Sequence, residues 1–423
     1  MQKKVYDTYV SLLNKELTVA TGCTEPIAIA YAGAKIREVL GDVPEHCTVY
    51  CSGNIVKNVM AVTVPNSGGD RGIEIAAMLG AVGGDPNQVL DVLGPVKEED
   101  IALARKLVAE GRCETKLVEG VANLYIRIEA EKGSDTALVE ITDYHSNITK
   151  IEKNGKVLFD AEIKARDADE PDRSLLNVRD IIAFAEEVNL DDVRKPLENQ
   201  LRMNSAIAEE GLSGNWGAEV GKTIAEGADG GSLRERAMAY AAAASDARMN
   251  GCPLPVVINS GSGNQGITVS MPLYVYAKEY EISEERTLRA LALANLISIH
   301  IKHYIGSLSA FCGAVSAATA SACGIAWMLG YDYSVICGII TNSINTTGGM
   351  VCDGAKSSCA SKIATDVGTA LICMEMSIKQ RVFKPGEGLV EDNIEETISS
   401  VGRMGRQGMK STDIEILNIM LGN

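Results

Sequence analysis

Residues 313–330 read GAVSAATASACGIAWMLG, a run of small residues that carries no charged side chain. Ala, Gly, Ser and Thr at helical spacing let helix axes approach closely, so the stretch predicts the centre of a tightly packed helical domain. Residues 237–251, AMAYAAAASDARMNG, repeat the texture. The apolar part, Ala314 to Leu329, is broken by Ser and Thr and falls short of the roughly 20 residues a membrane-spanning helix needs. Close packing in a water-soluble core is the expectation, and helical patterns dominate from the polar stretch RDADEPDRS (166–174) to the C-terminus.

Upstream the patterns change. Val5, Tyr9, Leu12, Leu13 and Leu17 mark a helix over 4–19, and Ile27 to Leu40 reads as a second, so Cys23 falls at the break between them. Thr21 and Thr24 before Glu25 and Pro26 fit a helix start. CTVYCSGNIVKNVMAVTVPNSGG (47–69) reads as a β-rich stretch with Asn54 and Asn58 near its middle, followed by the small-residue helix IEIAAMLGAVGG (73–84). A charged helix, Glu98 to Glu110, then precedes alternating strands, of which LYIRIEAE and TALVEITDY are the clearest. The expected class is α+β: a mainly helical catalytic domain rich in small residues (1–94 and 167–423) with an inserted small α/β unit (95–166). The segment 166–174 would be the return linker.

Composition narrows the function classes. The chain has 423 residues, 46% of them hydrophobic, which is ample for a sizeable core. Its net charge of -16, without any Lys/Arg run, argues against nucleic acid as a partner. MQKKVYDTYV at the N-terminus lacks the apolar core of a signal peptide, so a cytoplasmic protein off the membrane is expected. The eleven cysteines are irregularly spaced, and reduced thiols are the better reading in so large a chain. Cys47, Cys51, Cys113, Cys252, Cys323, Cys337 and Cys373 are most simply core or surface thiols. The four histidines show no H-E-x-x-H or triad spacing; His300 and His303 on one helix face suit packing, with His303 near enough to Tyr304 to line a pocket.

Cys352 and Cys359 are different, because they flank the polar, turn-forming segment DGAKSS. A continuous helix would hold them roughly 10 Å apart, whereas Asp-Gly suggests a turn that folds them together. Cys312 lies upstream in LSAFC. Zinc is disfavoured, since the short pair Cys47 and Cys51 has no second pair to complete it. Spacing alone leaves the Cys312, Cys352, Cys359 set a weak indication of a metal site.

The segments TGCTEP (21–26), GLSGNWG (211–217), ASDARMNG (244–251), NSGSGNQGITVSMP (259–272), LSAFC (308–312) and MVCDGAKSSC (350–359) occur in this order. Together they resemble the L-cysteine desulfidase family, which is related to the alpha chain of iron-sulfur L-serine dehydratases. The likeness extends over essentially the whole chain, and NSGSGNQG is long and unusual. The resemblance implies a [4Fe-4S] cluster held by the thiolates of Cys312, Cys352 and Cys359, with one iron left open as a Lewis-acid site. It further implies an enzyme that splits L-cysteine into sulfide, ammonia and pyruvate, with Cys23 as the base that removes the Cα proton. A helix N-terminus beside Cys23 would lower its thiol pKa.

For substrate binding the reading rests on chemistry alone. NSGSGNQG can offer backbone NH groups to an anion, with Ser260, Ser262 and Asn264 adding side-chain donors, and Asn54, Lys57 and Asn58 contributing from the other segment. The alternative that NSGSGNQG is only a turn where helices meet stays open. So do L-serine dehydratase activity, a non-catalytic iron-sulfur redox sensor or carrier, Cys23 as a fourth cluster ligand, and a homodimer.

Overall fold

The alternation in β-strand segments and the 3.6-residue period elsewhere resolve into two hydrophobic cores, one helical and one built on a sheet. The computed structural model describes residues 1–161, 171–227, 231–306 and 308–422. The class is α+β and mainly helical, as composition and pattern indicate.

The helical core is centred on Gly313–Met328, in which every residue from Ala314 to Met328 is buried. It packs against the helices Gly263–Glu279, Glu284–Ile305, Tyr333–Thr347 and Cys359–Ile378. A helix that is apolar all round must be enclosed on all sides, and small side chains keep that enclosure tight. The outer helices have ordinary stop and start signals. Ser232 and Glu235 close a capping box at the head of Leu233–Met249, and the Asp332 side chain caps Tyr333–Thr347.

The second core carries a six-stranded sheet in the order β3-β2-β4-β5-β6-β7. Chain order gives β1 (Val19–Thr21), β2 (His46–Ser52), β3 (Cys113–Val118), β4 (Tyr125–Lys132), β5 (Asp135–Thr142), β6 (Ile148–Lys153), β7 (Lys156–Asp160) and β8 (Pro255–Val257). Only β2 and β3 run parallel; the remaining pairs in this sheet are antiparallel. Cys47, Val49 and Cys51 of β2, Ile126, Ile128 and Ala130 of β4, and Ala137, Val139 and Ile141 of β5 turn to one face. There they meet the helix Thr24–Leu40, which lies against the helix Ile73–Gly83. Strand period 2 places every second residue on that face, leaving Arg127, Glu129 and Glu140 outward.

Two features differ from the sequence reading. The stretch after β2 leaves the strand at Gly53, and Gly53–Val59 is a helix, so Asn54 and Asn58 are helical rather than in a β-rich run. Ile55, Val56 and Val59 are all buried there, a spacing that fits one helical turn, and tertiary burial overrides their β preference. The expected insert 95–166 also does not pack by itself: β2 lies between β3 and β4, and the core under the sheet is shared with residues 27–93. Of the expected linker 166–174, residues 166–170 lie outside the described residues, while Arg173–Leu175 forms a short 3-10 turn. Among the described residues no helix is long and apolar enough to cross a membrane. A short antiparallel ribbon, β1 with β8, ties the chain just before Cys23 to the helical core.

Candidate active site

Between the two cores runs a cleft of about 2630 Å3. Interfaces between packed units are common places for small-molecule sites. The local chain path brings three cysteines to one of its walls. Phe311 and Val351 form an isolated antiparallel bridge; beside it the Cys312 NH donates to Met350 O at 2.9 Å and the Cys352 NH to Ala310 O at 2.6 Å. Cys312 thus precedes one helix, Gly313–Met328, while Cys359 opens another, Cys359–Ile378. The segment joining Cys352 to Cys359 is a non-helical turn, as Asp-Gly suggested. Gly354 adopts φ +94°, and a Cβ on it would lie 2.2 Å from the Lys57 carbonyl oxygen. Only glycine fits this turn.

The three thiols sense one another. Burial raises the Cys312 thiol far above its ordinary value, and the neighbouring Cys352 and Cys359 add to the effect. Burial likewise raises Cys359, with Cys352 contributing. A cation answers them: Lys302 is buried in the same cleft and pushed down to about 8 by that burial, while Cys352 and Cys312 act to keep it protonated. Among the described residues no three His, Cys, Asp or Glu side chains gather closely enough to hold a single metal ion. Soft thiolate donors are what an iron-sulfur cluster takes, and Cys312, Cys352 and Cys359 border one cleft and act on one another electrostatically. The residues present therefore fit the cluster that the sequence resemblance implies.

In the same cleft, Cys23 takes the N-cap position of the helix Thr24–Leu40 and packs with Val62 and Met249, against which Cys359 and Ala355 also lie. Its Sγ donates to Glu25 Oε2 at 2.9 Å. The expectation that a helix N-terminus lowers this thiol is not met. Burial raises it well above the usual range, the Glu25 charge adds to that, and Arg248 only partly opposes it. A macrodipole worth about half a charge does not outweigh full desolvation beside a carboxylate. Glu25 itself is held at about 2: burial would raise it, but facing His145 and the Cys23 thiol more than compensate. Asn58 Nδ2 donates to Glu25 Oε1 at 3.0 Å, and His145 Nε2 stands 3.9 Å from the same oxygen.

The glycine-rich loop has two roles. Asn259 and Ser262 pair their backbones at 3.1 and 3.0 Å, and Ser260 and Gly261 both take positive φ between them. Asn259 is wholly buried and bonds Asn295 and Ser298, which is the work of a turn between helices. Ser260, Ser262 and Asn264 nevertheless line the cleft. Thr24 Oγ1 donates to Gly261 O at 3.2 Å, joining the loop to the Cys23 helix.

Cys23, Asn54, Asn58, Ser260, Ser262, Asn264 and the three cysteines all border one cleft, drawn from segments hundreds of residues apart. Lys57 does not join them. Its ammonium is buried on Asp413 at 2.5 Å, tying the helix Gly53–Val59 to Lys410–Leu421. Asn54 Oδ1 is buried with no hydrogen-bond partner among the described residues. Glu25, His145, Arg248 and Lys302 were not singled out as site residues from the sequence. Glu25 had a local signal, an acid two positions after Cys23 in TGCTEP. His145 had none, because a hairpin loop delivers it from across the sheet. Of the helical pair, His300 is buried on Glu395 at 2.6 Å, and His303 borders the cleft.

A family model described as "Serine dehydratase alpha chain" matches residues 76–418. The chain is 46% identical to the "UPF0597 protein" of Lachnoclostridium phytofermentans over 417 residues, covering 99% of this chain and 100% of that one. It is 47% identical to the "UPF0597 protein" of Finegoldia magna over 414 residues, 98% of this chain and 99% of the other. With that of Treponema denticola the identity is 43% over 427 residues, spanning 100% and 99%.

Proposed function

Since this chain belongs to the serine dehydratase alpha-chain family, we propose that it is an iron-sulfur lyase acting on an amino acid, and specifically an L-cysteine desulfidase. The observation that carries the reading is that one cleft gathers Cys312, Cys352 and Cys359 together with Cys23 and its hydrogen-bond partner Glu25. The other seven cysteines lie away from the cleft lining. Cys312, Cys352 and Cys359 would hold a [4Fe-4S] cluster through their thiolates. When bound, such a cluster supplies a soft Lewis acid that makes a thiolate substituent a better leaving group.

The chain's own residues supply the proton chemistry. Burial and the Glu25 charge hold Cys23 as the thiol, donating to Glu25 Oε2 at 2.9 Å, so it acts as base from its minor thiolate form, its proton lost to the cleft and not to the strongly acidic Glu25. Arg248 favours the thiolate over the thiol. The Cys23 thiolate then accepts the Cα proton, the Cα–H pair forms the Cα–Cβ double bond, and the C–S pair departs with sulfur as sulfide. The aminoacrylate released tautomerises and adds water to give pyruvate and ammonia. Lys302, a buried cation beside Cys312 and Cys352, offsets negative charge there.

The family description itself favours a second reading, loss of water from L-serine by the same route. Anaerobic reconstitution with iron and sulfide, followed by assay of sulfide from L-cysteine beside pyruvate from L-serine, separates the two. Sulfide release at the higher kcat/KM is expected. Pyruvate from serine at the higher kcat/KM would overturn the choice of substrate. An intact cluster absorbance in Cys352→Ser would overturn the cluster assignment without reference to turnover.

A further inference from the structure

Arg248 belongs to none of the roles described so far except its electrostatic pull on Cys23, and its surroundings are unusual. It is 3% exposed, yet it borders the cleft and has no ion-pair partner among the described residues. Its Nη1 donates to Asn264 Oδ1 at 3.1 Å, a neutral acceptor, and its buried Nε has no acceptor among the described residues. A guanidinium has five donors and a permanent charge. Burying it without an anion is costly, and native proteins almost always pair such a group.

The glycine-rich loop is shaped to hold it there. A Cβ on Gly263 would lie 2.2 Å from Arg248 Nε and 2.6 Å from Cζ, so glycine at this position is what lets the guanidinium lie over the loop. Asn264, the next residue, orients it. The loop expected to bind an anion through its own NH groups thus also seats a buried arginine at the cleft.

We propose that Arg248 is the anchor for the α-carboxylate of the amino-acid substrate, with Gly263 and Asn264 as its seat. The inference rests on the amino-acid lyase reading above. A carboxylate matches the guanidinium fork, which is why arginine recurs wherever planar two-point recognition of this group is needed. The position is also productive. Met249, next to Arg248, packs against Cys23, and Arg248 and Cys23 border the same cleft, so a carboxylate held by Arg248 brings the attached Cα toward the Cys23 thiol. The substrate side chain is then free to extend toward Cys312, Cys352 and Cys359. Asn54, with its buried unpartnered oxygen, is left available for the amino group.

The experiment is anaerobic equilibrium binding to the reconstituted enzyme of L-cysteine, L-serine and L-alanine, each beside its carboxamide, in wild type, Arg248→Lys and Arg248→Met. Truncating one side of a buried charge pair leads to an expected acid-over-amide preference in wild type of about 30-fold or more. The preference should shrink in Arg248→Lys and fall to near unity in Arg248→Met, with acid binding losing more than amide binding. Equal binding of acids and amides by wild type would overturn the proposal without any variant, so a misfolded variant does not shelter it. Retention of the full preference in Arg248→Met would overturn it as well. Acid-selective binding with no sulfide release would sink the desulfidase reading and leave the anchor standing. Sulfide release without acid selectivity would do the reverse. Failure of every amino acid to bind would overturn both.

Discussion

Replacing Gly354 by alanine adds one methyl group to the turn between Cys352 and Cys359, at a place where the structure has no room for it. The backbone there has φ +94°, and the new Cβ would sit 2.2 Å from the Lys57 carbonyl oxygen. That oxygen is not free to retreat, because the Lys57 side chain is buried on Asp413 at 2.5 Å. Holding a non-glycine residue in such backbone costs about 1–3 kcal/mol, and overpacking against a fixed neighbour adds about 1–3 kcal/mol. The turn makes few core contacts, so it should move rather than unfold the protein, carrying Cys352 and Cys359 out of register with Cys312. The expected result is a several-fold loss of iron and sulfide content after anaerobic reconstitution, read by chemical analysis and visible absorbance, with little change in far-UV circular dichroism. Gly386→Ala is the control, since Gly386 has φ +87° but nothing within 4 Å of its would-be Cβ. It should show backbone strain alone and keep its iron. Full iron content in Gly354→Ala would refute the reasoning.

Other outcomes follow from Cys23 and its neighbours. Cys23→Ala is expected to keep the cluster absorbance and lose more than about 100-fold in kcat, the usual scale of a lost general base; changed spectra in the resting variant would instead identify Cys23 as a cluster ligand. Glu25→Gln removes a charge that raises the Cys23 thiol, so the acid limb of the kcat/KM profile, where the base loses its proton, should move to lower pH, and an unmoved limb would exclude coupling between the two. The same variant tests stability. A buried carboxylate held at about 2 against an ordinary 4.5 contributes stability that is present above pH 4.5 and lost as pH falls toward 2. At about 1.36 kcal/mol per pH unit, this gap corresponds to about 3 kcal/mol. Acid unfolding of Glu25→Gln should therefore be flatter than that of wild type across this window, and parallel curves would count against the Glu25–His145 pairing. Lys57→Met leaves Asp413 without its buried partner and is expected to cost about 3 kcal/mol or more of stability, measured by denaturant titration, with KM unchanged; a large rise in KM would return Lys57 to the binding site.

What could be read without coordinates was whatever depends on neighbours in the chain. GAVSAATASACGIAWMLG read as a close-packed helix, the alternation in LYIRIEAE and TALVEITDY marked strands with one buried face, and Asp353-Gly354 marked a non-helical turn between Cys352 and Cys359. Each is a local consequence of side-chain size, period or backbone freedom. NIVKNV shows the limit, because β-preferring residues became a helix once Ile55, Val56 and Val59 were buried together. Contacts between distant segments were decided only by tertiary packing. It set Asp413 against Lys57 and so took that lysine out of the site, and it carried His145 across the sheet to Glu25. It also laid Arg248 over Gly263. The physical reason is that a charge or a proton acts over a few ångströms of space, and no spacing in one dimension reveals which two segments the cores will bring that close.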